Sequence, residues 1–403
     1  MARYIRGSVL GRRVPVRELT EAETNAWREL AERAVEPNPF SEPGCLIPAA
    51  RHLPSGADIS LVIAEEAGRF FGCFPTLTVP AGVRPSTSWR GVRRPVFTNE
   101  VLRVHHDGTP LLDGERGVDA AMALLSALSG RDRDANAGIL VLEKLDADGP
   151  VASCLAAAAA ALPLPIYTYH SWSRPMVRRR EDLTYRRIHG DDTLEKLARK
   201  RRLLGEKLGG DVRLVDRSAD ASAIDTLIAI ESAGWKGRAG VALASRPGEP
   251  EWLRELCDRF RSEHRLLLYC LQAEDTVLAM KLMIRGGEGL FSVWTVYDEK
   301  YAHYSPGNQL LLDTIDRFHE ETDAQWIDTC TYEGNTTYLL MYPDRRTVST
   351  VVLAVGGRVD RAWFRISLVP YRLFGADSAF RRRHRGLIRA FDRLLAALKI
   401  LPN

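Results

Sequence analysis

Apolar positions recur at helical spacing in some stretches and alternate in others, and the two patterns interleave along the whole chain. Ala22, Ala26/Trp27, Leu30 and Ala34 fall three or four apart, which predicts a helix over 20–35 stopped by Pro37-Asn38-Pro39. Residues 59–64 and 70–79 are short, β-branched or aromatic, and predict two strands of one hairpin-like unit; 86–99 is loop-like. Residues 119–128 read as a helix and 139–142 as a buried strand, and Asp148-Gly149-Pro150 opens an alanine-rich helix over 151–162. A second pass begins with a helix over 193–208 that buries Leu194, Leu197, Leu204 and Leu208 and ends at Gly209-Gly210. Next come a strand at 212–215, helices at 224–232 and 251–261, and a strand at 266–272. The clearest unit is a hairpin, 276–285 and 290–297 around Gly286-Gly287-Glu288-Gly289. It runs on to Ser305-Pro306-Gly307, a helix with Leu310/Leu311, Ile315 and Phe318 on one face, and a strand over 325–331. Interleaved helices and strands predict α/β layers, in two similar halves.

Length and composition narrow the class. The 403 residues predict two to three domains, and 45% apolar with 27% charged residues excludes a disordered, collagen-like or coiled-coil chain. A net charge of +4 is too small to argue nucleic-acid binding in bulk, so any such case falls to local clusters. One spans 174–202, where, Arg174 aside, ten Lys or Arg residues stand against five acids and read as a linker entering the basic helix. Six cysteines without CxxC or nearby histidines at ligand spacing predict buried thiols in a reducing cytoplasm and no metal. No secretory signal is expected, and the longest apolar run, 151–162, is too short to cross a bilayer. At the C-terminus, Leu387/Ile388, Phe391, Leu394/Leu395, Leu398 and Leu401 form a stripe behind Arg381-Arg382-Arg383-His384-Arg385. This basic amphipathic helix, 376–403, is read as docking on the protein itself or a second subunit, with anionic membrane or RNA phosphate as sharper alternatives.

Several residues are candidates for chemistry. Ser305, Gly307, Asn308 and Gln309 occupy a helix start, where unbonded N–H groups attract anions and Gly307 permits close backbone approach; the plainer reading is a helix cap. Lys281 places an ammonium on a strand face otherwise formed by Val277, Ala279 and Met283, either to meet negative charge in a site or to snorkel at an edge. Between Glu231 and Gly240, an aromatic and glycine-rich loop offers Glu231 as proton acceptor and Trp235 and Lys236 as cleft walls, against a cap-and-core role. Asp298, Asp328 and Glu333 are further carboxylates expected near strand ends. P-loop, GxGxxG, GxSxG and HExxH motifs are lacking, which removes the usual support for kinase, dinucleotide oxidoreductase, serine hydrolase and zinc protease. His105-His106-Asp107 is read as surface loop.

Asn38-Pro39-Phe40, the segment from Glu231 to Gly240, Tyr297-Asp298-Glu299-Lys300-Tyr301 running into Ser305-Pro306-Gly307, and Tyr342-Pro343-Asp344-Arg345-Arg346 together resemble the GNAT-superfamily acyltransferases of the CelD/BcsL-like group. The resemblance implies two tandem GNAT-like domains, each a mixed, mostly antiparallel sheet flanked by helices, as in the Fem-type aminoacyl-tRNA-dependent transferases. It places an N-terminal domain at 1–180 and a C-terminal domain with the active cleft at 181–375. It implies acyl-CoA as donor, with its pyrophosphate on Ser305, Gly307, Asn308 and Gln309; Tyr304 and Gln309 depart from the usual pattern and keep aminoacyl-tRNA open, with the basic helix for the RNA. A small-molecule amine is the expected acceptor. Glu231, Lys281 and Asp298 are the expected catalytic residues, and Trp235, Lys236, Tyr297, Tyr304 and Asp328 the expected substrate contacts. A degenerate scaffold that only binds a partner is the alternative outside enzymes.

Overall fold

The computed structural model describes residues 9–79, 96–99, 101–102, 107–129, 137–181 and 190–374. The basic tail, Arg186 and Arg187 of the cationic linker, His105-His106 and most of the 86–99 loop lie outside the described residues. In the first half the strands are β1 Leu10–Pro15, β2 Ser60–Glu66, β3 Arg69–Val79, β4 Val96–Thr98, the short β5 Leu111–Leu112, β6 Ile139–Asp146 and β7 Ile166–Arg178. In the second they are β8 Arg213–Asp216, β9 Leu266–Ala273, β10 Thr276–Gly286, β11 Gly289–Tyr297, β12 Trp326–Asp328 and β13 Asp344–Ala354.

The halves repeat one pairing scheme. β1–β2, β2–β3 and β3–β4 are antiparallel and β4–β6 parallel, just as β8–β9, β9–β10 and β10–β11 are antiparallel and β11–β12 parallel. The last strand of each half breaks the repeat. β7 comes after β6 in the chain yet pairs with β12, and β13 comes after β12 yet pairs with β6; β7 and β13 pair with each other in the middle. Each half thus gives its last strand to the other, and a single sheet in the order β1-β2-β3-β4-β6-β13-β7-β12-β11-β10-β9-β8 results.

Helices cover both faces. On one, Glu21–Arg33 and Pro43–His52 of the first half share a core with Ala223–Ala233 and Glu249–Ser262 of the second, through Trp27, Leu46, Leu227, Trp252 and Phe260. That core also takes Leu61 and Ile63 of β2 and Leu268 and Cys270 of β9. Helices of the two halves thus form one continuous layer on this face, from β2 to β9. The other face carries two separate cores, one under Gly117–Leu128 and Pro150–Ala161, the other under Asp191–Leu208 and Pro306–Glu321. Leu197 and Leu204 of the basic helix are buried as its spacing requires. Among the described residues, no helix is long and apolar enough to cross a membrane, and no group of three or more potential ligands could hold a metal.

At the exchange, charge is buried. Arg174 on β7 lies directly across from Arg346 on β13. Arg174 Nη1 is 3.3 Å from Asp328 Oδ2 and 3.6 Å from Asp107 Oδ2; Arg346 Nη1 is 2.8 Å and 3.2 Å from the same oxygens, and its Nε is 2.9 Å from Asp146 Oδ2. By sequence Arg174 stands at the edge of a solvated linker; in the structure it is fully buried, because β7 extends through Arg178 into the middle of the sheet. Glu36 completes the cluster, its Oε1 accepting from Val151 N at 2.7 Å while Arg346 is 3.9 Å from its other oxygen.

Burial, reinforced by Asp146 and Asp107, pushes the Glu36 carboxyl up from its ordinary 4.5 to about 7. The folded state therefore holds this proton more tightly than the unfolded chain. The stabilising contribution is complete below about pH 4.5 and is lost as pH rises through 7, on the order of 3 kcal/mol in all. Glu36→Gln keeps a neutral acceptor for Val151, so its melting temperature relative to the parent should rise between pH 5 and pH 8, measured by thermal melts across that range; an unchanged difference would place the Glu36 titration elsewhere. The strand exchange has its own test. Residues 1–180 and 181–403 made separately should give no cooperative melt and should co-purify when co-expressed, whereas two independently folded halves would contradict the exchange.

Candidate active site

β11 and β12 run side by side only from Gly289, Leu290 and Phe291 to Trp326, Ile327 and Asp328, and then part. The turn after β12 explains why. Asp328 Oδ1 accepts from Cys330 N at 2.7 Å, and Cys330 takes the left-handed conformation at φ +47°, swinging the chain off the sheet. Helix Thr336–Met341, capped by Asn335, then sets Tyr338 in the gap, its hydroxyl 2.9 Å from Thr295 Oγ1. The remaining space is an open cavity of about 310 Å³ lined by Ser292–Thr295 of β11, by 329–332 opposite, by Tyr338, and by Trp235, Lys236, Val241 and Arg246. Trp235 and Tyr332 are 58% and 51% exposed, which makes its mouth aromatic.

Lys281 does not snorkel. It is fully buried one layer behind the cavity, where Nζ donates to Ser292 Oγ at 3.0 Å, Tyr338 OH at 3.4 Å and Thr295 Oγ1 at 3.5 Å. It also lies over the rings of Tyr338 and Tyr342, at 5.2 and 5.9 Å from their centroids. A bulge assembles this group. Lys281 pairs with Thr295 and Met283 with Ser292, so three residues of β10 face four of β11, with the register shifting between Leu282 and Met283. Strict alternation would turn Ser292 and Thr295 to opposite faces; the bulge brings both to the face of Lys281.

Glu231 sits behind another wall with both oxygens occupied. Oε1 accepts from Lys236 Nζ and Trp294 Nε1, each at 2.6 Å, and Oε2 accepts from Leu243 N at 2.8 Å. It thereby holds two cavity walls and the 241–243 turn, and among the described residues no carboxylate lines the cavity. Asp298 accepts from Lys300 N at 2.9 Å and caps helix Glu299–Tyr304. Asp328, expected to meet substrate, is instead fully buried among Arg174, Arg346 and Asp107; those guanidiniums hold it below the usual carboxylate range against the pull of burial. Cys330 lines the cavity, but burial and then Asp328 push its thiol well up.

Beyond the end of β11, the chain enters helix Pro306–Glu321 through Ser305 at φ +57°. The Ser305 side chain does not cap the helix; its Oγ accepts from Lys200 Nζ of the basic helix at 2.8 Å. Gly307 and Asn308 are half-buried, and their N–H groups have no acceptor among the described residues. A Cβ at Gly307 would meet Tyr297 Cδ1 at an ordinary 3.5 Å. Gln309 is buried and donates to Tyr304 O at 2.8 Å, so it holds the approach to the helix rather than facing outward. Tyr304 lies under Lys207, and Tyr297 is 41% exposed beside the helix start. The structure thus gathers Trp235 and Lys236 at the cavity, with Glu231 and Lys281 behind it, and Ser305, Gly307, Asn308 and Tyr297 at the helix start. Sequence reading missed Ser292, Thr295, Tyr332, Tyr338 and Arg246, and had Lys200 only as one cation of the basic helix. The Asn38-Pro39-Phe40 motif is structural: Asn38 is fully buried and donates to Ser41, Asp107 and Thr109.

Residues 191–338 match the family model described as acetyltransferase (GNAT) domain. No curated protein matches the chain. Among solved structures it is similar to FemX, with 8% identity and a TM-score of 0.54 over 85% of this chain and 96% of that one. It is also similar to the C-terminal domain of a protein described as a lysylphosphatidylglycerol synthetase from Agrobacterium fabrum, with 12% identity, TM-score 0.50, and 87% and 96% of the two chains covered. A conserved protein of unknown function from Bacteroides thetaiotaomicron gives 9% identity and TM-score 0.50 over 84% of this chain and 98% of that one. The fold is a GNAT-like mixed α/β architecture with a large, mostly antiparallel sheet flanked by helices, and the chain carries an acyltransferase domain in its second half.

Removing the Glu231 carboxylate orphans two buried donors and an ammonium. Glu231→Ala should therefore cost about 2–4 kcal/mol of stability, and Glu231→Gln, which keeps one acceptor oxygen, less. Denaturant unfolding checks this; a neutral Glu231→Ala would mean the three donors find water.

Proposed function

We propose that this chain is an N-acyltransferase that moves an acyl group from acyl-CoA to a small-molecule amine by direct attack. The observation that carries this reading is the juxtaposition of two parted parallel strands with a helix start whose first amides have no acceptor. Gly307 and Asn308 N–H, with Lys200 beside them, would hold the donor's phosphates, and the backbone at Gly307 leaves room for their approach. The acyl-bearing arm would lie along β11 in the cavity, and the amine would enter between Trp235 and Tyr332. The thiol at the cavity, Cys330, is held protonated by its burial, which supports transfer without a covalent enzyme intermediate. Glu231 acts as a positioning residue for Lys236 and Trp294, and the amine's proton leaves to water at the open mouth. Asp298 stays with its capping role. Placement with the CelD/BcsL-like group rests on the 231–240 and 297–307 segments. Six unpaired thiols, five of them buried, support a reducing, cytoplasmic setting.

A second reading has its own observation. Lys196, Arg199 and Arg202 are exposed on the basic helix whose Lys200 reaches the helix start, an arrangement suited to an RNA backbone and hence to an aminoacyl-tRNA donor.

Calorimetric titration with coenzyme A and with charged tRNA separates the two. Coenzyme A should bind saturably, about tenfold more weakly in Lys200→Ala. Gly307→Ala should keep most of the binding, and Gly307→Glu, which sets a carboxylate before the amides, should abolish it. Saturable binding of charged tRNA with no response to coenzyme A would favour the second reading.

A further inference from the structure

Three hydroxyl groups at the floor of the cavity share one buried cation. Lys281 is fully buried, and its polar partners are Ser292 Oγ, Thr295 Oγ1 and Tyr338 OH; among the described residues no carboxylate lies within ion-pair distance of it. The other cations on the walls are matched, Lys236 by Glu231 at 2.6 Å and Arg246 by Glu249 at 3.3 Å. An ammonium has donors only, so each hydroxyl oxygen bonded to it must turn its own hydrogen elsewhere. Thr295 and Tyr338 settle one hydrogen between them at 2.9 Å. The hydrogen of Ser292 and one from the Thr295–Tyr338 pair have no acceptor among the described residues, and all three side chains line the cavity. The floor is therefore a pair of O–H donors backed by an unmatched positive charge in a low-dielectric site.

We infer that this floor is an anion cradle and that the acceptor amine belongs to an anionic molecule, its carboxylate or phosphate group seated on the Ser292, Thr295 and Tyr338 hydroxyls. Burying a cation without a counter-ion is costly, and a bound anion removes that cost. The cradle stands on the geometry alone; its assignment to the acceptor rests on the acyl-transfer reading. Lys281 acts through the hydroxyls as a positioning residue.

The test titrates the full chain, without donor, with sodium acetate and separately with inorganic phosphate, at ionic strength held constant by chloride, following thermal stability. One of the two should stabilise saturably at concentrations where chloride does not. Preference for acetate identifies a carboxylate-bearing acceptor, and preference for phosphate that persists in Lys200→Ala a phosphorylated one. Lys281→Met should abolish the response, Ser292→Ala should weaken apparent affinity about tenfold, and Lys200→Ala, at the separate helix start, should leave it unchanged. If Lys281→Met does not fold, Ser292→Ala and Thr295→Val carry the test. A parent protein indifferent to both anions, or a response lost in Lys200→Ala and kept in Ser292→Ala, overturns the cradle. Coenzyme A titration of the same samples separates the failures: coenzyme A binding without an anion response sinks the cradle alone, and an anion response without coenzyme A binding sinks the acyl-CoA reading alone.

Discussion

Two guanidiniums facing each other across adjacent strands are the constraint on which the rest of this molecule depends. Arg174 and Arg346 are direct cross-strand partners, a like-charge pairing that opposes sheet formation on its own. It persists because Asp328 and Asp107 sit between them, with Asp146 on the far side. The carboxylates come from the first half and from β12, the guanidiniums from the two exchanged strands. The first half supplies Asp107 and Asp146 against Arg174, and the second supplies Asp328 with Arg346, so the excess carboxylate of the first half is met only when the strands exchange. A slip of one residue in β7 or β13 would carry an arginine to the opposite face and strand the carboxylates, so the cluster fixes register as well as proximity. Such buried pairs contribute little net stability over apolar packing, but removing one member leaves an uncompensated charge worth several kcal/mol. Specificity of assembly is the better account of why charge is placed there.

The same cluster shapes the cavity. Asp328 shares both oxygens with Arg174, gives Oδ2 to Arg346 and accepts from Cys330 N on Oδ1, and this last bond bends the chain away from β11. The parting of the strands is thus a direct consequence of where one buried carboxylate is held. From there the chain reaches Asn335, whose cap starts the short helix that delivers Tyr338 to Thr295. Charge balance at the exchange and geometry at the floor are linked through ten residues of chain.

Much of this was readable in the sequence where the signal was local. The 276–297 hairpin, the helix begun by Ser305-Pro306-Gly307 and the interleaved layers arise from turn residues and periodicity, which act over a few positions. The exchange was not readable. β7 begins just after Pro163 and Pro165 and ends in Arg178-Arg179-Arg180, so its Tyr167 and Tyr169 were overshadowed by flanks that read as linker. The partner that buries it lies about 180 positions away. Asp328 looked like any carboxylate at a strand end, because only its neighbours in space show that it is consumed. Ser292 and Thr295 were invisible as a pair for a different reason: alternation separates them, and the bulge that reunites them leaves no mark beyond a serine and a threonine three apart. Lys281 was conspicuous as a lone cation on an apolar face, and its three hydroxyl partners in the structure account for that oddity.

The separation between the helix start and the floor bears on the kind of carrier that fits. Gly307 lies against Tyr297, at the end of β11, and Ser292 lies five residues back along the same strand, roughly 16 Å away at the usual rise. An activated carboxyl group seated near the floor, with phosphates on the Gly307 and Asn308 amides, needs a long, thin arm between the two. Coenzyme A has such an arm, whereas an aminoacyl ester carries its carbonyl on the ribose close to the last phosphate. For a tRNA donor to use the same floor, its terminal phosphate would have to leave the helix start and enter the cavity, where it would compete with the acceptor's own anionic group for the hydroxyls over Lys281, the wall cations Lys236 and Arg246 being already matched. The spacing of the two anion-attracting features along one strand therefore favours the thioester carrier.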